Sequence, residues 1–463
     1  MDVWPVPKKK LTRRQALSLL VKGALAYPVL NMAVVPSCGK GRVRITAPPP
    51  PPPPSDDQFL DQMEAAAFLF FWERASATTG QVLDRAYATG AEDARTISSI
   101  AATGFGLTTL CIAAQRGYMP IAAIQERVRT TLSFIWNKLP HHEGFFYHFV
   151  DMETGERVKR SEVSPVDTSI LLCGILTCRQ YFQDAQIKTL ATQIYERVNW
   201  QWMLNGSTTF ALGWTPEGGF LPYRWDTYSE LMMIYLLAIG SPTFPVPASS
   251  WDAFARPTIT FEGYTYISGN APLFIHQYSH AWFDFRNKQD AYANYFNNSV
   301  AATQAHKAFC LSVATQFADY SNNRWGITAS DSQNHGYVAW GGPPPMGPID
   351  GSIVPCAAGG SLPFVSSDCI ALLRNIRAVY PGAWQRYSFV DAFNPLTNWY
   401  DPDALGLDLG ITTVMAENYR TSFVWDVFMR NPEAQAAMAA VGFKPAAASQ
   451  SAIIQDRELI AVG

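Results

Sequence analysis

The sequence predicts an all-α protein, an (α/α)6 toroid of six inner and six outer helices. Three observations carry that prediction. Helix-length apolar patterns fill the chain from Ser55 onward, whereas the strict alternation of a half-buried strand is almost absent. The patterns are of two kinds that alternate along the chain, one amphipathic with a charged face and one apolar all round. A helix without a polar face belongs inside, so the second kind forms the inner ring. Each apolar segment is also preceded by a short polar, aromatic or glycine-rich stretch, and parallel inner helices would gather those stretches at one mouth.

Composition agrees with a large packed domain. The chain has 463 residues, 48% of them hydrophobic and only 16% charged, well below the roughly 25% of ordinary globular chains. Disorder over most of the length is therefore excluded. By length alone about three domains would fit, but a toroid takes up this much chain as one. The balance of 35 Lys and Arg against 38 Asp and Glu, a net charge of −3, leaves no basic footprint for nucleic acid. The 14 Trp, 20 Tyr and 27 Phe are numerous enough to line a cleft as well as fill a core.

Taken in order, residues 1–47 read as a bacterial export signal. Lys8, Lys9, Lys10, Arg13 and Arg14 form a basic region, and the weakly apolar stretch 16–35 is broken by Lys22, Pro28 and Asn31. The run around Arg13-Arg14 resembles a twin-arginine signal, and the interruptions argue against a membrane span. Val35-Pro36-Ser37-Cys38 looks like an imperfect lipobox, with Cys38 as the lipidation candidate and plain cleavage nearby as the alternative. Pro48 to Pro54 follow within the 48–55 linker, a stiff polyproline spacer. The expected location is periplasmic, free or membrane-anchored through that lipid.

The catalytic-size domain spans 56–445, with 446–463 as a tail. Amphipathic outer helices are expected over 58–75, 121–139, 186–204 and 294–318. Inner helices are expected over 98–114, 168–180, 229–239, 278–285, within 353–378, and over 419–429. Six cysteines lie in or beside these apolar stretches, and Cys173 and Cys178, five apart, have neither a zinc nor a redox spacing. Buried free thiols are expected, with one disulfide left open. With no coiled coil or sticky segment, a monomer is expected.

The polar lead-ins carry the chemistry. They include Asp93 to Thr96, Ser161 to Thr168, Trp225 to Glu230, His276 to His280, Asp350 to Ser352 and Glu417 to Arg420. Asp167 and Thr168 suit helix caps regardless of function. Glu162, Glu230 and Glu417 are poor caps, so a convergent site explains them better. Paired carboxylates in an aromatic cleft are what glycoside hydrolysis needs: an acid to protonate the leaving oxygen and a carboxylate to activate water or attack the anomeric carbon. Aromatic faces stack on sugar rings. No HExxH run, dinucleotide loop or Gly-x-Ser-x-Gly elbow occurs, and the His276/His280 spacing lacks a third ligand, so neither a metal nor a cofactor is called for.

The ordered blocks Asp84-Arg85, 99–106, 144–151, 161–164, Tyr228-Ser229-Glu230, 273–280, 325–331, 391–395 and 417–420 resemble the bacterial glycoamylase-like domain. That family includes glycoside hydrolase family 144 endo-β-1,2-glucanases and a domain of cyclic β-1,2-glucan synthases. The resemblance implies endo-hydrolysis of β-1,2-glucan to β-1,2-linked oligosaccharides. Transglycosylation, action on another glucan, and non-catalytic glycan binding by a lipoprotein stay open as alternatives. Pro165, Ser169 and Cys356 depart from the family pattern without removing a carboxylate.

Glu162 and Glu230 are the expected catalytic pair, each just before an inner helix, with Glu230 leaning toward general acid. Asp167 is expected to orient Glu162, bind substrate or cap. Asp151 would bind sugar or hold its loop. Asp331, Asp350 and Glu417 are reserve carboxylates for the base. Trp225, Tyr228, His276, Gln277, Trp325, Trp340 and Arg420 are candidate sugar-binding residues.

Overall fold

The computed structural model describes residues 54–446. The export signal, Cys38 and nearly all of the proline run and C-terminal tail lie outside the described residues. Helices are α1 (Asp56–Glu73), α2 (Ile100–Arg116), α3 (Ile121–Asn137), α4 (Pro165–Tyr181), α5 (Ala185–Glu196), α6 (Trp200–Leu204) and α7 (Met232–Ile239). Then follow α8 (Tyr295–Ser312), α9 (Pro355–Gly359), α10 (Ser366–Val379), α11 (Gly406–Thr421), α12 (Phe423–Phe428) and α13 (Pro432–Ala440).

The helix starts are written locally. Ser55 and Gln58 form a capping box on α1, the Ser55 side chain accepting the Gln58 N–H at 3.2 Å and Gln58 accepting the Ser55 N–H at 2.9 Å. Asp56 and Asp57 in its first turn suit the helix dipole. Ser164 caps α4 and Pro165 stands at its first position, where no N–H is needed.

Six inner elements close a ring. Helix α2 packs between α4 and α11, α4 packs on α7, and α9 packs on α11. The sixth place is held by two 3-10 turns, Leu273–His276 and Tyr278–Ala281. Ser279 joins them to α7 by accepting the Met233 N–H at 3.0 Å, and Gln277 joins them to α9 by donating to the Ala357 carbonyl at 2.9 Å. The tightest seam is α2 against α4. A Cβ at Gly104 would stand 2.5 Å from the Ile170 carbonyl oxygen, and one at Gly174 only 2.1 Å from that of Gly104. Glycine at both positions is what lets the two backbones touch.

Helices α1, α3, α5, α8 and α10 form the outer layer. Its sixth slot holds a 3-10 turn, Ala248–Asp252, and the hairpin Thr258–Phe261/Tyr264–Ile267. At the far end, α12 packs on α4 and α13 on α7, and Arg179 near the end of α4 donates to the Asn431 side chain. These two helices close the floor.

Three expected boundaries are corrected. The sixth inner helix is α11, not 419–429: Ser422 at φ +63° ends α11, and the apolar run read there belongs to α12. The 353–378 stretch divides at Gly359-Gly360 and Pro363 into the short inner α9 and the outer α10. The 278–285 segment forms a single 3-10 turn rather than an α-helix. All ladders among the described residues are antiparallel pairs of two to four residues. Several of them, such as Arg85–Tyr87 with Asp403–Leu405 and Ile97–Ser99 with Phe149–Asp151, frame the mouth of the ring. All six cysteines of the described residues are free and buried; Cys111 and Cys178 lie 3.6 Å apart, sulfur to sulfur. No described helix is long and apolar enough to cross a membrane.

Candidate active site

A cavity of about 380 Å³ opens where the inner helices begin. Its wall is built from Asp167 and Ile170 on α4, Glu230 before α7, Phe274 and Tyr278 on the 3-10 turns, and Leu405 and Leu407 at the start of α11. Loops add Asp84, Arg85, His148, Phe149, Lys159 and Tyr337. The size and mixed lining suit a small polar ligand with apolar faces.

Glu230 is set by the turn into α7, its carbonyl accepting the Ser279 hydroxyl at 2.8 Å. Burial pushes its carboxyl up to about 7, the nearby Asp167 charge adding to the shift. No ion pair to a cation reaches it among the described residues. Glu162 is in the opposite state. It accepts a hydrogen bond from His148 Nδ1 at 3.2 Å, and this contact outweighs burial and holds its carboxyl below the ordinary value. His148 Nε2 lies 3.6 Å from Asp167 Oδ1. Burial alone would lower the imidazole, but Asp167 and Glu162 outweigh it and push His148 up to about 9. Asp167 also accepts the Ser164 hydroxyl at 2.5 Å. Its backbone N–H donates to the same serine, the cap of α4, so Asp167 is held in the first turn of α4 and faces the cavity. Gly213 gives Glu162 its room, since a Cβ there would lie 2.8 Å from Glu162 Cγ.

A second acidic group stands behind Arg85. Arg85 pairs with Asp84 at 3.2 Å and with Asp331. The Asp331 N–H donates to Asp391 Oδ2 at 2.7 Å. Burial, then the neighbouring Asp408, raises the Asp391 carboxyl well above the usual range. Burial raises Asp408 to about 6 and Asp401 to about 7. Two triads have donor atoms near enough for a metal ion, His148/Glu162/Asp167 and Asp331/Asp391/Asp401. In the first the donors are spent on one another. In the second Asp331 is held by Arg85 and Asp401 by the Asp403 N–H at 2.7 Å, while Asp391 accepts the Asp331 N–H through Oδ2 and keeps a buried Oδ1 without a hydrogen-bond partner among the described residues.

Of the expected residues, Glu230 and Asp167 line the cavity, while Glu162 stands behind His148 and Asp331 behind Arg85. The other expected residues do not line it. Tyr228, His276, Gln277, Trp325 and Trp340 are buried in the core. Tyr228 and His276 face each other at 3.4 Å, His276 Nε2 meets Ser268 at 3.2 Å, and burial lowers that imidazole to about 3. Trp340 donates to Ser330 at 3.0 Å, anchoring the 330–338 hairpin from below. Glu417 and Arg420 sit in the last turns of α11, at the end away from the mouth. There Arg420 pairs with Glu64 at 2.6 Å and Glu417 with Arg116 at 2.7 Å. Their assignment to the site followed the misplaced sixth helix. Asp151 holds its loop by accepting the Glu153 and Thr154 N–H groups at 3.0 and 2.9 Å. Asp350 accepts the Ser352 N–H at 2.9 Å in a turn, and Trp225 pairs with Phe210 in a short ladder. None of these three lines the cavity.

Sequence reasoning assigned no role to His148, Asp84, Arg85, Lys159, Tyr278, Tyr337, Asp391 or Asp408. Asp84-Arg85, His148, Tyr278 and Asp391 stood inside the blocks that carried the resemblance, which was the available signal. Tyr337 had none, as its place depends on a hairpin.

Comparison with known proteins agrees with this architecture. Residues 222–432 match the Glycoamylase family model. The chain is 28% identical over 421 residues to an exo β-1,2-glucooligosaccharide sophorohydrolase (non-reducing end) from Parabacteroides distasonis. That match covers 82% of this chain and 57% of the relative, so the chain spans little more than half the relative's length. Among solved structures, an endo-β-1,2-glucanase from Chitinophaga pinensis with sophorotriose and glucose superposes with a TM-score of 0.77 and 28% identity, covering 85% of this chain and 99% of that one. A β-1,2-glucanase from Parabacteroides distasonis gives 0.78 and 26%, covering 84% and 60%.

Proposed function

On the premise that the chain carries a glycoamylase-like domain, we propose that it is a glycoside hydrolase that cleaves β-1,2-glucan within the polymer. The observation that carries the reading is the pair of unlike carboxyls at the mouth. Glu230 keeps its proton to about pH 7, while Glu162 is held ionised by His148. Two carboxyls driven apart in this way are the acid and the charged partner of glycoside cleavage. Glu230 gives its proton to the glycosidic oxygen as the bond to the anomeric carbon breaks. Glu162 supplies the negative charge that the oxocarbenium-like transition state requires, and water adds to the anomeric carbon, its proton passing to a carboxylate of the site. Phe274, Tyr278 and Tyr337 offer aromatic surface to the sugars, and Asp84, Arg85 and Lys159 offer partners to their hydroxyls.

The β-1,2 linkage rests on the substrates named for the similar proteins. Product analysis on linear β-1,2-glucan, with laminarin, starch and cellulose alongside, tests it. Soluble oligosaccharides from β-1,2-glucan alone, lost in Glu230→Gln, are expected. Cleavage of another glucan only would remove the linkage from the proposal and keep the site. Export through the twin-arginine-like signal, with Cys38 as lipid attachment point, is proposed from the sequence pattern. Fractionation of cells expressing the full chain and Cys38→Ser tests it: the wild type is expected in the membrane fraction facing the periplasm, the variant in the soluble periplasm.

A further inference from the structure

His148 belongs to the mouth and was given no role by the pairing of Glu162 with Glu230. We propose that His148 is a positioning residue: its imidazolium bridges Glu162 and Asp167 and fixes the Glu162 carboxylate through Nδ1–H. The inference deepens the proposed function and rests on it for its catalytic half.

The geometry is the argument. Nδ1 stands 3.2 Å from Glu162 Oε1 and Nε2 3.6 Å from Asp167 Oδ1. A neutral imidazole has one N–H and one lone pair, so it would turn that lone pair on a carboxylate. The doubly protonated ring presents an N–H toward each, a hydrogen bond to Glu162 and a charge contact to Asp167. The clamp is also made by the backbone, since the His148 N–H donates to the Glu162 carbonyl at 2.9 Å. The ring itself is braced by stacking on Phe149, with centroids 3.8 Å apart. Gly213 lies against the other side of Glu162, so the side chain is confined between the two.

The charged groups around the ring favour the imidazolium. Glu162 and Asp167 touch it, and Asp84 acts on it from the next loop. Asp84 is itself paired with Arg85. Arg157 lies in the field of Glu162, and Lys159 sits over the Phe149 ring at 5.0 Å. Across the cavity Glu230 faces Asp167 and is its neutral counterpart. The anions in contact outnumber the cations nearby, and the ring stays charged up to about pH 9. Removing it leaves Glu162 and Asp167 as like charges, so Glu162 takes up protons at higher pH.

Two measurements test the proposal on the chain as described. In His148→Gln, kcat on β-1,2-glucan is expected to fall about tenfold or more, with KM little changed. The acidic limb of its pH profile should move up by about one pH unit, as expected for losing an opposite charge. The alkaline limb, which belongs to Glu230, should stay in place. A lower rate with an unmoved acidic limb overturns the positioning role. Should the variant not fold, the wild type decides. The His148 ring, followed by carbon-detected NMR titration, is expected to titrate near 9 and to titrate lower in Glu162→Gln, where Asp167 remains as its anionic partner. A wild-type midpoint at or below 7 overturns the bridge. Wild-type protein inactive on every glucan would overturn the proposed function and the catalytic half of this inference, while the titration would still decide the bridge.

Discussion

Glutamine at position 230 keeps the shape and neutrality of the protonated glutamate and removes its proton. General acid catalysis contributes about 10²–10⁴-fold, so kcat on β-1,2-glucan should fall by that factor in Glu230→Gln, with KM nearly unchanged. An aryl glycoside whose phenol leaves without a proton should lose about tenfold or less. In the wild type the rate should fall about tenfold for each pH unit above 7, where the Glu230 carboxyl ionises; the variant should lack that limb. Stability gives an independent readout. The folded carboxyl titrates at about 7 against an ordinary value of 4.5, so the folded state resists its charge. Wild-type stability is therefore lost as pH rises from 4.5 through 7, by about 3 kcal/mol as an upper bound. The side chain keeps some exposure at the cavity surface, and solvent there reduces the figure to about 1–2 kcal/mol. Calorimetry at pH 8.5 should show Glu230→Gln melting above the wild type, with the two alike at pH 4. A rate on polymer within tenfold of the wild type, or an alkaline limb retained by the variant, would refute the acid assignment.

Tyr337, 55% exposed on the 330–338 hairpin and lining the cavity, should act as a sugar platform. Tyr337→Ala is expected to raise KM about 3- to 10-fold, the worth of one ring contact, with an unchanged melting temperature. Arg420→Met strands the fully buried Glu64 and should cost about 3–5 kcal/mol in chemical denaturation, with KM unchanged because the pair sits at the far end of the ring. Gly104→Ala places a methyl against the Ile170 carbonyl and should destabilise by at least about 1–3 kcal/mol. Since α4 carries Asp167, kcat should fall with it.

The ring was legible where inner helices are long and uniformly apolar. Ile100 to Ala113 on α2 and Thr168 to Arg179 on α4 are buried without a break, and their boundaries were read to within three residues. It was not legible where the inner element is short or carries charge. Helix α11 holds Gly406, Asp408, Gly410 and Glu417 among its apolar residues, and its pattern gave way to the more apolar α12. That one shift sent Glu417 and Arg420 to the wrong end of the molecule and hid Asp408 at the right one. The aromatic candidates failed for another reason. Trp325 and Trp340 are buried in the core, and nothing in a sequence distinguishes a tryptophan that packs from one that stacks on a ligand. Glu162 and Glu230 do precede inner helices in the structure, because that position is a matter of chain order, which the sequence states directly.

Chain order alone leaves open which of Glu162 and Glu230 would be the acid, and their surroundings favour Glu230. Both precede an inner helix, so both feel the favourable field of a helix N-terminus. What differs is the company each keeps. Glu162 meets an imidazolium presented by His148, the residue just before the Phe149–Asp151 strand. Glu230 meets the Ser279 hydroxyl only at its carbonyl, and its carboxyl faces the Asp167 charge with no cation of its own. A cation given to one carboxyl and withheld from the other separates their protonation. At the opposite end of the ring Arg420 and Arg116 pair with Glu64 and Glu417, although burial still raises the Glu64 carboxyl well above its usual range. The chemistry of the fold thus lies in the unequal distribution of its few cations. Moving one of them to the α7 turn, as in Ser229→Lys, should ionise Glu230 at neutral pH and abolish polymer cleavage while leaving the ring folded.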